Sequence, residues 1–467
     1  MKLEISKLAQ MTGGKIISSV QTEFKSIGTD TRKDLTGQLF IALKGEAFDA
    51  HQFVSQAVEK GASGIVVHQM DPVIESLGKT VSILLVSDTL KALQQIANTA
   101  RRELKAKVIG ITGSNGKTTS KEFTAAVIGA HRKVHYNKGS FNNHWGVPFT
   151  LLEIPNDVEV SVVEMGMNHA GEITELVNIA EPDVVVCSMV GRAHIEHFGS
   201  IEKIADAKEE IYIASKPEAI QIFNLDSELT KKMFQKSQSK HKLTFSSQDP
   251  LADVYLTITE LSMSSMKIEG KIKGVSGKSE VAVFGKQNLV NLMVAAASAL
   301  AVGLSPQQIW QSMCLCKTSW GRNQFVELES GAKLIFDAYN ANPDSMKALI
   351  DNMSLIKTNG KKVGVFGQML EMGSQSSQLH EELGELVGSA GFSKVLFLGS
   401  EGPAFEKGLV KANYKNEKLI SAEFHESMLD FLYKNIKPED IYLVKGSRGM
   451  KLERLVKVPG SFLKRDA

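Results

Sequence analysis

A series of short, nearly continuous apolar runs dominates the chain from residue 107 onward, and helix-like patterns separate each run from the next. Strands that are apolar on both faces are typical of parallel sheets that helices cover on both sides. The pattern therefore predicts an α/β fold, with too many strands for one compact sheet. The predicted strands cover residues 107–112, 158–165, 183–190, 333–338, 361–367, 394–399 and 440–446.

Two stretches of the sequence indicate domain boundaries. The length of 467 residues suggests about three domains. A helical stretch at 88–105 precedes the first strong strand, and residues 316–324 precede a fresh series of strands and helices. We therefore predict three α/β domains, at residues 1–86, 87–315 and 316–467.

Composition and charge argue against several classes of protein. The formal net charge of +2 does not provide the basic excess of a nucleic-acid-binding surface. The longest apolar run, residues 292–304, is too short to span a membrane, and the N-terminus lacks the apolar core of a signal peptide. The cysteines, Cys187, Cys314 and Cys316, are too few for a disulfide framework and are expected to be buried or idle thiols. We expect a cytoplasmic protein with no membrane span and no nucleic-acid partner.

The predicted strand at 107–112 runs into the sequence GSNGKTT and then into a helix. A glycine-rich turn in this context lets backbone N–H groups converge on phosphate oxygens at the helix N-terminus. Lys117 can reach the β- and γ-phosphates, and the Thr118 hydroxyl can bind Mg²⁺. The alternative is a glycine-rich turn that only caps the helix. We predict a central P-loop ATPase-like domain that binds nucleotide through Gly113, Ser114, Asn115, Gly116, Lys117, Thr118 and Thr119.

Two polar side chains come at the ends of the next predicted strands. Glu164 closes the run at 158–165, and His194 follows the run at 183–190. Ligands of open parallel sheets lie outside the carboxyl ends of the strands, so both side chains are expected beside the phosphate loop. Mg²⁺ needs carboxylate ligands near phosphate, whereas imidazole is softer than Mg²⁺ prefers. We predict Glu164 as a metal ligand, and the chemistry alone leaves the role of His194 open.

Lys208 lies in the middle of the apolar face of the helix that follows. A lysine in this position can extend its ammonium to solvent. Alternatively it is desolvated, which lowers the pKa of the amine by up to several units. A neutral amine can react with CO₂ to give a carbamate, an anion able to bind a second Mg²⁺. The pattern alone leaves both alternatives open.

The order of these motifs resembles the Mur ligases, the cytoplasmic amide ligases of peptidoglycan synthesis. GSNGKTT is followed by NNHWGVPFTLL, VVEMG, AHIEHFGS and DAKEEI, and the similarity extends over essentially the whole chain. The resemblance implies that Lys208 is carbamoylated, and that Glu164 and His194 bind the second of two Mg²⁺ ions while Thr118 binds the first. Mn²⁺ is a possible substitute for Mg²⁺. The residues given catalytic roles by the resemblance are Lys117, Glu164, His194 and Lys208.

Further segments extend the resemblance around ATP. GKQNLVNLMVAAA matches the adenine-contacting segment of the family, which implies that Asn288 and Asn291 contact the base. Gln287 stands where the family commonly has His. Arg322 and Asp337 match positions that contact the nucleotide from the C-terminal domain, which is expected to be Rossmann-like.

DAYNANPDSM, at 337–346, resembles the branch of the family that adds D-alanyl-D-alanine, as does VFGQMLEMGSQSSQLHEELG, in which Gln368 replaces the usual Asp. In the N-terminal module, GTDTRKDLTGQLFIALKGEAFDAHQF resembles a uridine-nucleotide-binding domain. Solvated loop charges are the alternative for the polar residues of that module. The substrate contacts implied are Thr31, Arg32, Lys44, Asp49, His51, Asn142, Asn143, Tyr339, Asn340 and Asn342.

The reaction implied by the resemblance joins UDP-N-acetylmuramoyl-tripeptide to D-alanyl-D-alanine, with ATP activating the tripeptide carboxylate as an acyl-phosphate. A monomer that closes its domains before chemistry is expected. Two alternatives stay open: another carboxylate–amine ligase of folylpolyglutamate type, and a nucleotide-binding regulator without turnover. The sequence leaves open whether the third residue of the peptide is lysine or diaminopimelate.

Overall fold

The computed structural model describes residues 3–45, 49–137 and 139–456. These residues form three large sheets, each built from its own stretch of the chain, and one small two-stranded sheet. Helices are interspersed with the strands along all three stretches. The predicted α/β fold of three domains is confirmed.

The N-terminal part is built on a five-stranded sheet of order β2-β7-β6-β5-β4, in which only β2 is antiparallel to its neighbour. Strands β1 and β3 form the small separate sheet. The elements are β1 (Leu3–Glu4), α1 (Ile5–Thr12), β2 (Lys15–Ser18), β3 (Glu23–Phe24), β4 (Ile27–Gly28), β5 (Leu39–Ile41), a 3₁₀ turn (Ala50–Phe53), α2 (Val54–Glu59), β6 (Gly64–Val67), α3 (Pro72–Leu77), β7 (Ser82–Leu85) and α4 (Thr89–Glu103).

The central part is built on a nine-stranded sheet of order β16-β15-β14-β13-β12-β11-β8-β10-β9. Strands β8 to β14 are parallel, and antiparallel hairpins add β15 and β16 at one edge. The elements are β8 (Lys107–Thr112), α5 (Lys117–Gly129), β9 (Val134–Tyr136), α6 (Gly146–Leu152), β10 (Val160–Glu164), α7 (Glu172–Ala180), β11 (Val184–Cys187), α8 (Ile195–Phe198), α9 (Ile201–Ile213), β12 (Ile220–Asn224), α10 (Glu228–Lys236), β13 (Lys242–Ser246), β14 (Val254–Leu261), β15 (Met266–Ile272), β16 (Val275–Val281), α11 (Asn288–Ala301) and α12 (Pro306–Ser312).

The C-terminal part is built on a six-stranded sheet of order β17-β18-β22-β19-β20-β21, parallel except for β17. The elements are β17 (Gln324–Glu327), β18 (Lys333–Asp337), α13 (Pro343–Leu355), β19 (Lys362–Gly367), α14 (Ser376–Ser389), β20 (Lys394–Leu398), α15 (Gly402–Lys411), β21 (Glu417–Ser421), α16 (Ser427–Tyr433) and β22 (Ile441–Lys445). Short 3₁₀ turns cover Met313–Leu315, Gly373–Gln375, Arg448–Met450 and Leu452–Leu455.

The two faces of the central sheet are both buried, as the apolar runs predict. Val108 packs with Leu176 of α7 and Ile204 of α9, whereas its neighbour Ile109 packs on the opposite face with Phe123 of α5. Successive side chains of a strand point to opposite faces, so a strand with helices on both sides must be apolar throughout.

Helix α4 joins the N-terminal and central parts. Asp88 caps it by accepting hydrogen bonds from the N–H groups of Leu90 and Lys91. Ile96 packs in the N-terminal core, whereas Ala97 packs in a core of the central sheet. Because α4 contributes to both cores, packing does not separate the two parts at residue 86. The boundaries at 86 and 315 stay predictions. Over the described ranges, no helix combines the length and the apolar character needed to cross a membrane.

Candidate active site

The loop between β8 and α5 requires glycine at two positions. Gly113 (φ 148°) and Gly116 (φ 80°) adopt backbone conformations that L side chains rarely reach. A Cβ on Gly113 would collide with Ser188 Oγ, and one on Gly116 would collide with Asn291 Oδ1. The backbone of this loop is therefore packed closely against the segments beside it, which a turn that only caps a helix does not need.

The phosphate loop is fastened to the segment that follows β11. The N–H of Ser114 donates to the carbonyl of Met189 at 2.9 Å, and the Ser114 hydroxyl donates to the carbonyl of Gly191 at 2.8 Å. The Ser188 hydroxyl donates to the carbonyl of Asn115 at 2.9 Å. These bonds fix the loop at the carboxyl ends of two adjacent strands, β8 and β11.

Lys117, the first residue of α5, folds back and donates from Nζ to the carbonyl of Gly113 at 2.9 Å. Desolvation lowers the pKa of its amine below the usual value, and the Glu164 charge opposes this effect. A phosphate group bound to the loop would offer the same amine a charged acceptor in place of a neutral carbonyl.

Glu164 is the last residue of β10 and is only 1% exposed. Its Oε1 accepts a hydrogen bond from Asn142 Nδ2 at 2.7 Å, and its backbone N–H donates to Asn137 Oδ1 at 3.0 Å. Its Oε2 is buried without a hydrogen-bond partner among the described residues, although Lys121 Nζ lies 3.7 Å away. A buried carboxylate oxygen without a partner is costly, so the carboxylate is suited to receive a cation.

His194 has a left-handed backbone conformation, with φ 61°, at the start of α8. Strained conformations of this kind concentrate at functional sites. Its Nδ1 lies 2.9 Å from Glu371 Oε2 but lacks the alignment of a hydrogen bond. Proximity to His194 holds the pKa of Glu371 below its usual value. Glu371 belongs to the C-terminal part, so His194 also marks an interdomain contact.

Lys208 of α9 is 1% exposed, so its side chain does not extend to solvent. Burial, followed by the nearby charge of Lys117, lowers the pKa of its amine to about 7. No carboxylate of the described ranges lies within ion-pair distance of Lys208. The amine therefore has an accessible neutral form near neutral pH, which is the form that reacts with CO₂. Carbamoylation itself stays a prediction.

The residues present fit two Mg²⁺ ions. Among the described residues, buried side-chain atoms without a hydrogen-bond partner include Glu164 Oε2 and His194 Nδ1, two of the predicted ligand groups. Thr118 is buried in the first turn of α5 beside the phosphate loop. A carboxylate, a hydroxyl and a carbamate are the hard oxygen donors that Mg²⁺ prefers. The roles of these groups as metal ligands remain predictions.

The C-terminal part contacts the phosphate loop directly. Asn342 caps α13, and its Nδ2 donates to Asn115 Oδ1 at 2.7 Å. Asp344, in the first turn of α13, accepts from the backbone N–H of Arg192 at 2.6 Å and from its guanidinium at 3.1 Å. Tyr339 Oη lies 2.5 Å from Ser140 Oγ of the central part. Tyr339 and Asn342, both predicted to contact substrate, therefore lie at this junction.

The two predicted nucleotide contacts of the C-terminal part have partners within it. The Arg322 guanidinium lies 4.1 Å from the centre of the Tyr339 ring. Asp337 Oδ2 accepts from Lys445 Nζ at 2.6 Å, and this lysine is 1% exposed. Lys445 also donates to the carbonyl of Asn340 at 3.2 Å. Buried Lys445 thus orders the strand end that carries Asp337.

The predicted adenine contacts are packed inside the central part. Asn291 Oδ1 accepts from the Ser120 hydroxyl at 2.9 Å, and its Nδ2 donates to Asn288 Oδ1 at 2.8 Å. Asn288 Nδ2 donates to the carbonyl of Phe284 at 2.7 Å. These bonds tie α11 to α5, so in the structure the pair supports the phosphate loop, and their contact with adenine stays a prediction.

The two positions that depart from the family pattern both have clear contacts. Gln287 donates to Asn323 Oδ1 at 3.1 Å and accepts from Asn352 Nδ2 at 2.7 Å, which links the central and C-terminal parts. Gln368 Oε1 accepts from the Ser400 hydroxyl at 3.0 Å.

The N-terminal candidates lie in loops of their own sheet. His51 Nδ1 lies 2.8 Å from Asp49 Oδ1, and its Nε2 accepts from the backbone N–H of His68 at 2.9 Å. Asp49, His51 and His68 have side-chain ligand atoms within 4.8 Å of one another. Because both nitrogens of His51 are already used, the group forms a hydrogen-bonded relay. Lys44 pairs with Asp49 through a backbone bridge.

Arg32 is 87% exposed at its side chain and pairs with Asp30 at 2.8 Å, and the Thr31 hydroxyl donates to Gln56 Oε1 at 3.0 Å. Residues 46–48 of the N-terminal motif lie outside the described residues. The substrate contacts of this part stay predictions.

Sequence reasoning missed Lys121, Glu371 and Lys445 as parts of the site. Lys121 had a usable signal, because it lies four residues after Lys117 on the same helix and therefore on the same face. Glu371 and Lys445 had none, since only the folded C-terminal part brings them to His194 and Asp337.

Comparisons with known proteins agree with this architecture. Models of the Mur ligase catalytic, middle and glutamate ligase domains match residues 23–101, 111–299 and 321–448 respectively. The UDP-N-acetylmuramoyl-tripeptide–D-alanyl-D-alanine ligase of Bacillus subtilis is 35% identical over 459 residues, which is 98% of each chain.

Solved structures give the same result. A crystal structure of MurF from Acinetobacter baumannii matches with a TM-score of 0.88 at 31% identity, over 97% of this chain and 98% of that one. MurF from Thermotoga maritima in complex with ADP matches with a TM-score of 0.78 at 27% identity, over 92% and 96%.

The fold, the phosphate loop and these relatives define the class of this protein, which is an ATP-dependent ligase that forms an amide bond. More particularly, the chain belongs to the Mur ligase family.

Proposed function

We propose that this chain uses ATP to join D-alanyl-D-alanine to UDP-N-acetylmuramoyl-tripeptide, giving the pentapeptide precursor of peptidoglycan, ADP and phosphate. The observation that carries the proposal is the full-length similarity to ligases of that name, at 35% and 31% identity. The site supports the same reaction, because the phosphate loop, Glu164 and His194 lie at or after the carboxyl ends of the neighbouring strands β8, β10 and β11. Buried Lys208 of α9 is close enough to Lys117 for the charge of that residue to lower its pKa.

The phosphate loop and Lys117 hold the triphosphate of ATP. Backbone N–H groups of the loop and the N-terminus of α5 orient its oxygens, and Lys117 exchanges the carbonyl of Gly113 for a γ-phosphate oxygen. When bound, two Mg²⁺ ions neutralise charge on the transferring phosphoryl group. Thr118, Glu164, His194 and the carbamate of Lys208 would hold these ions.

The first chemical step is attack of the tripeptide carboxylate on the γ-phosphorus, which forms an acyl-phosphate and releases ADP. The free amine of D-alanyl-D-alanine then attacks the acyl carbon, and the tetrahedral intermediate collapses to the amide and phosphate. The protein supplies no nucleophile in this scheme, and its residues act by positioning both substrates.

Domain closure is part of the proposal. Asn342, Asp344 and Glu371 of the C-terminal part lie against Asn115, Arg192 and His194 of the central part. These contacts would complete the site around ATP and exclude water. X-ray scattering with an ATP analogue and the tripeptide substrate tests this idea, and a profile that stays open in their presence contradicts it.

A phosphate-release assay tests the proposed function. Release that requires ATP, UDP-N-acetylmuramoyl-tripeptide and D-alanyl-D-alanine together is the expected result. Release with a glutamate acceptor instead would favour a folylpolyglutamate-type ligase, and ATP binding without any release would favour a regulator. A panel of UDP-muramoyl peptides, with lysine or diaminopimelate at the third position, identifies the natural substrate.

The substrates also support a location. ATP and a uridine nucleotide are cytoplasmic metabolites, so we propose that the protein acts in the cytoplasm. That it acts as a monomer stays a prediction.

A further inference from the structure

Lys121 is a buried charge at the site that the proposed reaction does not yet use. Its side chain is 0% exposed, although it lies on α5 one turn after Lys117. A lysine is almost never fully buried unless its charge is paired and hydrogen-bonded. Its position in the fold therefore requires partners that compensate the loss of water.

The partners of Lys121 belong to the turn that follows β9, which we call the β9 turn and define as Asn137 and residues 139–142. Lys121 Nζ donates to the carbonyl of Asn137 at 2.6 Å and to the carbonyl of Gly139 at 2.8 Å. The third direction of the ammonium faces Glu164 Oε2 at 3.7 Å. Two carbonyls and one carboxylate thus surround a group with three donors.

The β9 turn also encloses Glu164 from its other side. Asn142 Nδ2 donates to Glu164 Oε1 at 2.7 Å, and the carbonyl of Asn142 accepts from the N–H of Gly166 at 2.8 Å. Asn137 Oδ1 accepts from the N–H of Glu164, and Asn137 Nδ2 donates to the carbonyl of Phe141. Lys121 is therefore bonded to the segment that orients the Glu164 carboxylate.

The distance between Lys121 and Glu164 is informative. At 3.7 Å the ammonium is too far to make a hydrogen bond to Oε2, yet close enough to attract the carboxylate. The ammonium attracts Glu164 Oε2 without forming a hydrogen bond to it, so the lone pairs of this oxygen stay available to another cation. This arrangement differs from a closed salt bridge, in which the oxygen would be unavailable to another cation.

We propose that Lys121 is a positioning residue that holds the Glu164 carboxylate, directly and through the β9 turn, in the orientation that binds Mg²⁺. This inference rests on the proposed function for the identity of the metal. Groups that orient a metal ligand without touching the metal commonly set its affinity. The alternative is that Lys121 only stabilises the fold of the β9 turn.

The test compares Lys121→Met with Lys394→Met. Lys394 is a matched control, because it is also buried, donates to a carbonyl, that of Phe431 at 2.8 Å, and lies 3.1 Å from Glu417. Lys394 lies in β20 of the C-terminal sheet, which is a different sheet from that of Glu164. Both variants lose a buried lysine, so both are expected to melt at a lower temperature than the wild type.

The deciding measurement is Mn²⁺ binding to each protein in the presence of a non-hydrolysable ATP analogue, followed by electron paramagnetic resonance. For Lys121→Met we expect the Kd of Mn²⁺ to rise by about 10- to 100-fold, with no change in Lys394→Met. An unchanged or lower Kd in Lys121→Met overturns the proposal.

If Lys121→Met does not fold, Lys121→Gln removes the charge but keeps a donor for the turn. The same rise in Kd is then expected, and wild-type affinity in that variant overturns the proposal.

The measurement of Mn²⁺ binding tests the role of Lys121, and the measurement of phosphate release tests the proposed reaction, so the two proposals can fail separately. A raised Kd in Lys121→Met together with no phosphate release by the wild type would refute the proposed reaction but keep the role of Lys121. Normal release by the wild type with an unchanged Kd in Lys121→Met would do the reverse.

Discussion

The polar groups at the centre of the molecule and those of the N-terminal loops are satisfied in opposite ways. At the carboxyl ends of the central strands, Glu164 Oε2 is buried without a hydrogen bond, and burial lowers the pKa of Lys208 to about 7. In the N-terminal loops, His51 uses both ring nitrogens and exposed Arg32 pairs with Asp30.

The difference indicates how each region binds its ligand. An unsatisfied buried group raises the energy of the free protein, and a ligand that satisfies it recovers that energy. A group that is already paired must first exchange its partner, so it contributes less to binding. Substitutions at the central site should therefore have much larger effects than substitutions in the N-terminal loops.

The largest effect is expected for Lys208→Ala. If Lys208 is carbamoylated as proposed, the substitution removes an anionic metal ligand, so kcat should fall by about 10³-fold or more. Added short-chain carboxylates should restore part of the activity by occupying the vacated position. Lys203→Ala, an exposed change on the same helix, is the control and should behave like the wild type. Full activity of Lys208→Ala in steady-state assays would show that the carbamate has no role.

Lys117→Ala should have the next largest effect. The amine is the charged donor of the phosphate loop, and its removal should lower kcat/KM for ATP by about 10²- to 10³-fold. Its only hydrogen bond within the described residues goes to the carbonyl of Gly113, so the melting temperature should stay close to that of the wild type. A large loss of stability with little change in kcat/KM would contradict this assignment.

Burial of Lys208 should make the stability of the bicarbonate-free protein depend on pH. The folded pKa of about 7 lies below the usual value of 10.5, so the unfolded state binds more protons between these two values. Stability should therefore rise as the pH increases from 7 towards 10, and the cost of burial is largest at and below pH 7. Lys208→Met should remove a cost of up to a few kcal/mol at pH 7 and less at pH 9. Urea denaturation of the wild type and the variant at pH 7 and pH 9 measures the free energy of unfolding. An equal increase in the variant at both pH values would contradict the lowered pKa of Lys208.

The smallest effects are expected in the N-terminal loops. His51→Ala breaks the relay between Asp49 and the N–H of His68, so KM for the uridine substrate should rise by about tenfold with kcat nearly unchanged. Arg32→Ala should raise KM by about threefold, because this side chain is exposed and already paired. A large fall in kcat in either variant would contradict the claim that the N-terminal loops contribute less to the reaction than the central site.

Local patterns in the sequence predicted seven of the parallel strands, β8, β10, β11, β18, β19, β20 and β22, because both-face burial makes a strand apolar throughout. The strand at 107–112 matches β8 at both ends, and the run at 333–338 matches β18 to within one residue. The parallel strands β9, β12, β13 and β21 were missed, and so were the edge hairpins β14 to β16. The residues of the hairpins alternate between buried and exposed, as in β15, so no continuous apolar run marks the hairpins.

The candidate site divides in a similar way. The phosphate loop is contiguous in sequence, Glu164 ends β10, and His194 follows a predicted strand, so topology alone brings them together. The sequence left open whether the Lys208 side chain is desolvated or extends to solvent. The structure favours desolvation, because the side chain is buried. Contacts between domains, such as that of Asn342 with Asn115, depend on packing between sheets that no local pattern encodes.

The most direct test of the account is a crystal structure with a non-hydrolysable ATP analogue and Mn²⁺, in which anomalous scattering locates the metal. One ion is expected beside Thr118 and the triphosphate, and a second is expected to be bound by Glu164, His194 and a carbamoylated Lys208. An unmodified Lys208 far from both ions, with Glu164 turned away from them, would contradict it.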